Sequence, residues 1–334
     1  MAPFDRRDFL RGAAAGAAGF ALLPFSGLDR LALAGAPAAP RKSRIALVRT
    51  ADRKDGVTRA LKLFDPKGIG GKRVLIKPNF NSADPTPGST HSDTLAQLVA
   101  ELHARSARSV TLGECSGPPA GSTKGIMERK GIFDLAREAD FDIVNYEEIG
   151  DGDWVAFKSD HWPEGFHLPR HVVEAEHNVS TCCIKTHGYG GVFTMSLKLS
   201  VGLTPRAIRS TMHRSPDMRR MIAELNTGYR PQLVLLDGVD AFTDGGPGRG
   251  TLAHPQVMIA GDDRVAVDAV GLAVLKEVGA NAAIMGRKIF EQEQIARAVE
   301  LGIGAESPAQ IQLVTGDADS AAYAAKLRTI LDLG

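Results

Sequence analysis

Five short apolar runs in this chain each end in a cluster of charged or glycine-rich residues. The runs cover residues 74–76, 110–112, 182–184, 233–236 and 257–259. Buried strands of an open α/β sheet have this composition, and ligands bind just beyond their carboxyl ends. We therefore expect five strands to deliver ionisable side chains to one edge of a sheet. The pattern indicates where a site lies better than which reaction it performs.

Strand and helix patterns alternate through the rest of the chain. Residues 45–48 and 142–146 have strand composition, whereas residues 92–107 carry apolar side chains at the spacing of a half-buried helix. Further helical patterns cover residues 124–139, 218–225, 264–278, 287–301 and 320–331. This alternation predicts an α/β fold with a largely parallel, doubly wound sheet and helices on both faces.

Residues 44–334 are predicted to form a single α/β domain, with two lobes as the alternative. Two segments interrupt the regular pattern. Residues 149–176 contain two tryptophans and several acids, which indicates an irregular insertion or a short β excursion. Residues 188–217 are rich in glycine and proline, and a connection of this length is unusual unless it covers a site. We therefore expect a lid there.

The N-terminal segment has the features of an export signal. Arg6 and Arg7 precede Phe9 and Leu10 and resemble the twin-arginine signal, and an Ala/Gly-rich apolar run follows. We expect residues 1–34 to be a signal peptide recognised by the twin-arginine export machinery, and residues 35–43 to be a linker. The alternative is an uncleaved anchor. Export would place the mature protein in the periplasm or outside the cell.

Composition excludes several classes of partner and cofactor. Without residues 1–34 the chain has 36 basic and 36 acidic residues, which argues against nucleic acid or an anionic membrane surface as a partner. The three cysteines, Cys115, Cys182 and Cys183, are too few for an iron–sulfur cluster held by four cysteines of this chain. They are predicted to be small buried side chains, and a disulfide from Cys115 to one of the other two is the alternative.

Lysines lie where two of the apolar runs end. Lys77 precedes Pro78 and Asn79, Lys185 precedes a threonine and His187, and Lys198 follows in the irregular segment. A lysine that leaves a buried strand needs a partner or a bound anion, because an unpaired buried ammonium is unfavourable. We therefore expect the lysines and Asn79 to converge on a small anionic molecule. The alternative is that each lysine pairs with an aspartate at the sheet edge.

Histidines and aspartates near the same strand ends suggest a divalent metal, although the cofactor itself stays undetermined. His91, Asp237 and His213 are the candidate ligands, since imidazole and carboxylate from separate strands can hold such an ion. No local ligand motif supports this assignment. The alternatives are that His91 is an ordinary loop residue and that Asp237 belongs to a turn.

A glycine-rich loop covers residues 245–250. It has neither the spacing of a phosphate-binding loop nor that of a dinucleotide-binding loop. Its backbone is expected to approach a ligand closely at Gly248, with Arg249 clamping an anion. A solvated flexible turn is the alternative.

Taken in order, these clusters resemble a bacterial and archaeal family called domain of unknown function 362. The resemblance rests on the segments around Lys77 and His91, on residues 113–117, on Lys185 through Lys198, and on the segments that follow residue 237. It implies an α/β fold with recurring polar residues, but no reaction. Leu199 stands where the family has asparagine. Some members of the family carry a ferredoxin-like domain with an iron–sulfur cluster. This chain lacks the cysteines of that domain, so the cluster is not expected here.

These observations lead to one main functional expectation. We expect an exported enzyme that acts on a small anionic substrate, with Lys77, Lys185 and His187 as catalytic residues. Lys198, Asn79, Arg249 and Gly248 are the expected substrate contacts. The alternatives are a non-catalytic periplasmic protein that binds a ligand or a metal, and an accessory subunit of a redox complex.

Overall fold

A computed structural model of the protein describes residues 42–334. The predicted signal peptide, residues 1–34, and most of the predicted linker lie outside the described residues. The described chain begins directly with a strand. None of its helices is long and apolar enough to cross a membrane.

The described residues form twelve strands and twelve α-helices. The strands are β1 (Ser43–Arg49), β2 (Arg73–Lys77), β3 (Ser109–Glu114), β4 (Asp142–Asn145), β5 (Trp154–Ser159), β6 (Trp162–Pro169), β7 (His177–His187), β8 (Val192–Thr194), β9 (Leu233–Gly245), β10 (Gly250–Ala253), β11 (Val257–Gly261) and β12 (Ile311–Val314). The helices are α1 (Arg53–Phe64), α2 (Ser92–Ala104), α3 (Thr123–Arg129), α4 (Ile132–Ala139), α5 (Arg170–Val173), α6 (Ser196–Leu199), α7 (Arg206–Arg214), α8 (Met218–Leu225), α9 (Arg264–Glu277), α10 (Ala282–Met285), α11 (Glu293–Glu300) and α12 (Ala318–Leu333).

Ten strands form one sheet in the order β12-β1-β11-β9-β7-β2-β3-β4, with β10 paired to β9 and β8 paired to β7. The predicted α/β fold with a largely parallel central sheet is confirmed. The expectation that all five apolar runs end at the same edge of the sheet is wrong, because β11 runs antiparallel to both of its neighbours. Asp263, which follows β11, therefore lies at the opposite edge of the sheet. There it accepts hydrogen bonds from Ser43 at the start of β1 and from the Ala305 N–H.

The central strands are buried on both faces. All eleven residues of β7 are buried, including the polar ones. One face packs against α9 and α12 and the other against α1 and α2, so that separate apolar clusters cover the two faces. Polar side chains on β7 must find partners inside the protein or at its carboxyl end.

The two irregular segments contain more regular structure than their sequences indicate. The insertion is an antiparallel hairpin of β5 and β6 followed by α5. The predicted lid contains β8, α6 and α7, and its residues 193–201 are all buried. The hairpin agrees with the alternative of a short β excursion, whereas β8 and α6, with three and four residues, are too short to produce a readable period.

The three cysteines are buried free thiols. Cys115 follows β3, whereas Cys182 and Cys183 lie on β7, and β2 separates the two strands in the sheet. The alternative of a disulfide from Cys115 therefore does not occur in this structure.

Candidate functional site

Lys77 and Glu114 form a buried ion pair at the carboxyl ends of β2 and β3. The Lys77 Nζ donates to Glu114 Oε1 at 2.8 Å. The carboxylate also accepts the N–H groups of Phe80 and Cys115, each at 2.8 Å. Burial lowers the pKa of Lys77, and Glu114 opposes that effect. This lysine therefore has a counter-ion, and the pair fixes the loops that leave both strands.

Lys185 is a buried cation of a different kind. Its side chain is fully buried in β7, and Nζ donates to Asn79 Oδ1 at 2.6 Å and to the carbonyl of Gly88 at 2.5 Å. Within residues 42–334, no carboxylate oxygen lies within 4 Å of this nitrogen. Burial lowers its pKa to about 8. Two neutral acceptors hold the side chain in place without neutralising its charge.

Lys198 lies on the short helix α6 and is 7% exposed. Its Nζ makes no hydrogen bond or ion pair with the described part of the chain. Burial lowers its pKa to about 7, and the positive charges of Lys185 and Arg209 contribute to that shift. Lys198 Nζ is not one of the solvent-excluded polar atoms without a partner, so the small exposed part of this residue includes the nitrogen.

His187 lies beside Lys198 at the end of β7. Its Nδ1 accepts the N–H of Gly191 at 3.2 Å, so that the neutral ring carries its proton on Nε2. Burial lowers the His187 pKa to about 2, with Lys198 and His213 as the next causes. A Cβ on Gly191 would lie 2.8 Å from both His187 Nδ1 and Lys198 Cε. Only glycine allows this approach of the two side chains.

Arg209 on α7 adds a third cation without a carboxylate. It is 3% exposed and donates to the carbonyls of Ser116 and Thr204, at 2.8 and 2.7 Å. No ion pair to it occurs in the described residues. His213, one turn later on the exposed side of α7, directs Nδ1 at the Arg209 carbonyl at 2.7 Å. That nitrogen must carry the proton, which leaves Nε2 as an acceptor.

These side chains form one positively charged cluster at the carboxyl edge of the sheet. The positive charges of Lys185 and Arg209 both lower the pKa of Lys198. Asp84 and Glu114 act on Lys185 and Arg209 from a distance, but no carboxylate forms an ion pair with any of the three within the residues described. The structure thus brings together four of the predicted residues: Lys185, Lys198, His187 and Asn79. Lys77 lies beside them, since the positive charge of Arg209 also lowers its pKa.

The glycine-rich loop packs against this cluster through its backbone. A Cβ on Gly246 would lie 2.1 Å from the carbonyl of Thr186, and one on Gly248 would lie 2.4 Å from Asp84 Oδ2. Gly248 therefore contacts the loop that carries Gly88, an acceptor of Lys185. Arg249 is exposed; its carbonyl accepts the Gly246 N–H at 2.7 Å, and its side chain makes no hydrogen bond or ion pair inside the described range. Its role as an anion clamp stays a prediction.

The three candidate metal ligands are not assembled into one group. His91 caps α2 by accepting the Asp93 N–H at 3.0 Å, and His213 lies beside Arg209 on α7. Nowhere in residues 42–334 do three or more His, Cys, Asp or Glu side chains lie where they could hold a metal ion. Each predicted ligand is instead occupied by a different local partner.

Asp237 belongs to a separate ionic network one strand away from Lys185. It is fully buried and accepts from Arg53 Nε at 3.0 Å and from the Thr94 hydroxyl at 2.7 Å. The same guanidinium donates to Asp240 at 2.6 Å, and Asp240 contacts His254 Nδ1 at 2.6 Å. The buried carboxylate is thus neutralised by arginine, and the network joins β9 to α1 and α2.

Arg209 and the pairing role of Glu114 were missed by the sequence reasoning. Glu114 ends an apolar run in the same way as Lys77, so an acid–base pair between neighbouring strand ends was a readable signal. Arg209 carries no such signal, because it lies on a short helix of the predicted lid among other basic residues. Its burial depends on how α7 packs.

These features define an α/β protein with a buried, positively charged site at the carboxyl edge of a largely parallel sheet. The chain belongs to the family described as domain of unknown function (DUF362), whose profile matches residues 74–273. The resemblance noted from the sequence is thereby confirmed. The match includes every member of the cluster described above.

A curated relative and two solved structures are similar to the chain. The chain is 27% identical over 214 residues to the thylakoid-associated protein sll1697 of Synechocystis sp.. The aligned segment covers 62% of this chain and 64% of that relative. The lactate racemase apoprotein of Thermoanaerobacterium thermosaccharolyticum has a TM-score of 0.44 at 14% identity and 86% coverage of both chains. A protein from Thermotoga maritima has a TM-score of 0.43 at 14% identity, covering 67% of this chain and 56% of its own.

Proposed function

We propose that the protein is an enzyme that binds a small anionic substrate at this cluster. The observation that carries the proposal is the excess of buried positive charge. Lys185 and Arg209 lie close enough to lower the pKa of Lys198, and none of the three forms an ion pair with a carboxylate in the described chain. Such charges are unfavourable in an empty site, and a carboxylate or phosphate group would neutralise them.

Two features favour catalysis over simple binding. The pKa of Lys198 is about 7, so the amine can gain or lose a proton at neutral pH. A neutral imidazole, His187, lies beside it. A site built only to hold an anion needs permanent positive charge, whereas a lysine that titrates near pH 7 suits general acid–base chemistry. We propose Lys198 and His187 as catalytic residues and Lys185, Arg209 and Asn79 as binding residues.

Anion binding by the Lys185→Gln variant tests this proposal. Glutamine keeps a donor for Asn79 but removes the charge, so the Kd for inorganic phosphate or acetate should rise about tenfold or more. Titration calorimetry at low salt measures the Kd, and addition of salt should weaken binding to the unmodified protein. The matched control is Lys67→Gln, since Lys67 has an 82% exposed side chain and lies outside the cluster.

Unchanged affinity in Lys185→Gln would refute the proposed site, as would equal losses in both variants. Binding without turnover of any tested anion would instead favour a non-catalytic binding protein. We propose no set of metal ligands, because His91, Asp237 and His213 do not converge in the described structure. A metal content that survives dialysis against EDTA would contradict this assignment.

We also propose that the protein is exported by the twin-arginine route and works in the periplasm. The support is the Arg6-Arg7 motif with the apolar run that follows it. The buried cluster combines residues from β2 to α7, so it exists only in the folded chain. A route that carries folded proteins would deliver the site already assembled.

A further inference from the structure

Lys198 is a largely buried lysine whose nitrogen makes no hydrogen bond or ion pair with residues 42–334. It is 7% exposed, and its Nζ has neither an acceptor nor an ion-pair partner in the part of the chain that is described. Most buried lysines satisfy the ammonium with carbonyls or a carboxylate, as Lys185 and Lys77 do here. The free nitrogen has a lone pair whenever the amine is neutral.

The surroundings favour that neutral form. Lys185 and Arg209 place positive charge nearby, and burial disfavours a further cation, so the pKa of Lys198 falls to about 7. A lysine desolvated next to another cation is an activated nucleophile toward carbonyl carbon. Proton loss at neutral pH would thus give Lys198 a reactivity that exposed lysines lack.

His187 and the cationic cluster supply the other groups that a carbonyl substrate requires. The His187 ring is neutral and carries a proton on Nε2, which can donate to a carbonyl oxygen. A Cβ on Gly191 would contact both His187 Nδ1 and Lys198 Cε, so the imidazole ring and the end of the lysine side chain are neighbours. Lys185 and Arg209 remain available to hold a carboxylate.

We propose that Lys198 forms an imine with the carbonyl group of a small oxo acid whose carboxylate is held by Lys185 and Arg209. This inference rests on the proposed anion site. The amine lone pair adds to the carbonyl carbon, and the carbonyl π electrons move to oxygen, which takes one of the two amine protons. The nitrogen of the carbinolamine then gives its second proton to the hydroxyl group, the C–O bond breaks to release water, and the C=N bond forms. No oxidant or reductant is consumed.

Reductive trapping tests the inference on the protein without residues 1–34. Pyruvate is added near pH 7, sodium borohydride then delivers hydride to the imine carbon, and peptide mass mapping locates the resulting secondary amine. Lys198 should be modified on the order of tenfold more than the exposed Lys67, because few ordinary lysines are neutral at this pH. Propanoate should suppress the modification. Acetone, which lacks a carboxylate, should modify Lys198 far less.

Three variants and a binding measurement separate the outcomes. Lys198→Met and Lys198→Arg should both lose the modification while retaining the circular dichroism of the parent. Lys185→Gln should retain it but need more pyruvate for half-modification. Phosphate binding without modification of Lys198 would overturn the imine and leave the anion site intact, whereas absence of both would overturn both. Equal modification of Lys67, or equal modification by acetone, would also overturn the inference.

Discussion

At the scale of single residues, Lys198 shows how this protein gives up stability at its site. The amine is buried beside two cations and has no acceptor within residues 42–334. Its neighbour Lys77 is equally buried but has Glu114 as a counter-ion. The contrast shows that the fold can give a buried lysine a counter-ion at this edge of the sheet, whereas Lys198 has none within the described residues. Such local conflicts are typical of functional sites.

Replacement of Lys198 by methionine should therefore stabilise the protein without ligand. Methionine has a similar shape and removes a charge that burial and two neighbouring cations disfavour, so the free energy of unfolding should rise by about 1–3 kcal/mol. Urea denaturation at pH 7 measures this change. Lys67→Met is the control and should change stability by less than about 0.5 kcal/mol. A Lys198→Met protein less stable than the parent would show that the amine has a stabilising partner.

The same lysine predicts how stability depends on pH. The folded pKa of about 7 lies below the value of an unfolded lysine, about 10.4, so the unfolded chain binds more protons between these limits. The unfavourable contribution of Lys198 is fully present below pH 7 and is relieved as the pH rises toward 10. The free energy of unfolding of the parent, measured relative to Lys198→Met, should therefore rise across this window. A flat difference would mean that Lys198 titrates normally.

Individual residues also explain what the sequence could predict about the site. Lys77, Lys185 and His187 were identifiable because each ends an apolar run, and parallel strands bring such ends to one edge. The end of the run 257–259 was assigned to the wrong edge for the same reason, since an apolar run does not reveal that β11 is antiparallel. The metal hypothesis treated His91 and Asp237 as free ligands, whereas a helix cap and an arginine occupy them. Partner choice of this kind depends on packing and is not encoded locally.

At the scale of elements, one buried carboxylate helps to attach the β5–β6 hairpin to the rest of the protein, in addition to the apolar packing of Trp162 and Phe166. Glu224 on α8 is fully buried and accepts from His161 in the hairpin turn, at 2.5 Å from Nδ1 and 3.1 Å from the backbone N–H. Arg297 on α11 donates to the same carboxylate at 2.8 Å. The tryptophans of this segment allowed a β excursion to be predicted from the sequence. The attachment could not be predicted, because it joins residues more than 60 positions apart.

Substitution of Glu224 by alanine should loosen the hairpin. Loss of one partner of a buried pair reduces the free energy of unfolding by about 3 kcal/mol, and trypsin should then cleave faster after Lys158 in β5. Glu300→Ala is the control, because Glu300 pairs with the same Arg297 at the surface and should contribute less than about 1 kcal/mol. Equal effects of the two substitutions would contradict the attachment.

The pH dependence of this attachment has the opposite sign to that of Lys198. Hydrogen bonds from Ser159, His161 and Arg297 lower the pKa of Glu224 against the effect of burial. Its stabilising contribution is therefore present above the ordinary carboxyl pKa and is lost as the pH falls through the folded value. The contribution of Lys198 to the free energy of unfolding thus changes between about pH 7 and 10, whereas that of Glu224 changes at acidic pH.

At the scale of the whole molecule, the order of strands explains why the site needs the complete fold. The cluster draws on β2, β7, α6 and α7, and the sheet places β7 between β9 and β2. The family profile covers residues 74–273 and therefore all of these elements. Alternating apolar patterns made this architecture predictable, whereas the short elements between β7 and α8 had no period to read. Those short elements carry Lys198 and Arg209, the least predictable part of the site.

The site needs the folded chain, and the twin-arginine route carries folded proteins. Replacement of the arginine pair therefore tests the export hypothesis. Arg6→Lys with Arg7→Lys keeps the charge of the N-terminal segment but removes the guanidinium pair that characterises twin-arginine signals. In a bacterium with this export route, cell fractionation should find the parent in the periplasm with its first residues removed, and the double variant in the cytoplasm at full length. The matched control is Arg11→Lys, which alters a neighbouring arginine and should still be exported. Periplasmic protein from the double variant would refute the proposed route, because the general secretory pathway accepts lysine in place of arginine and carries unfolded chains.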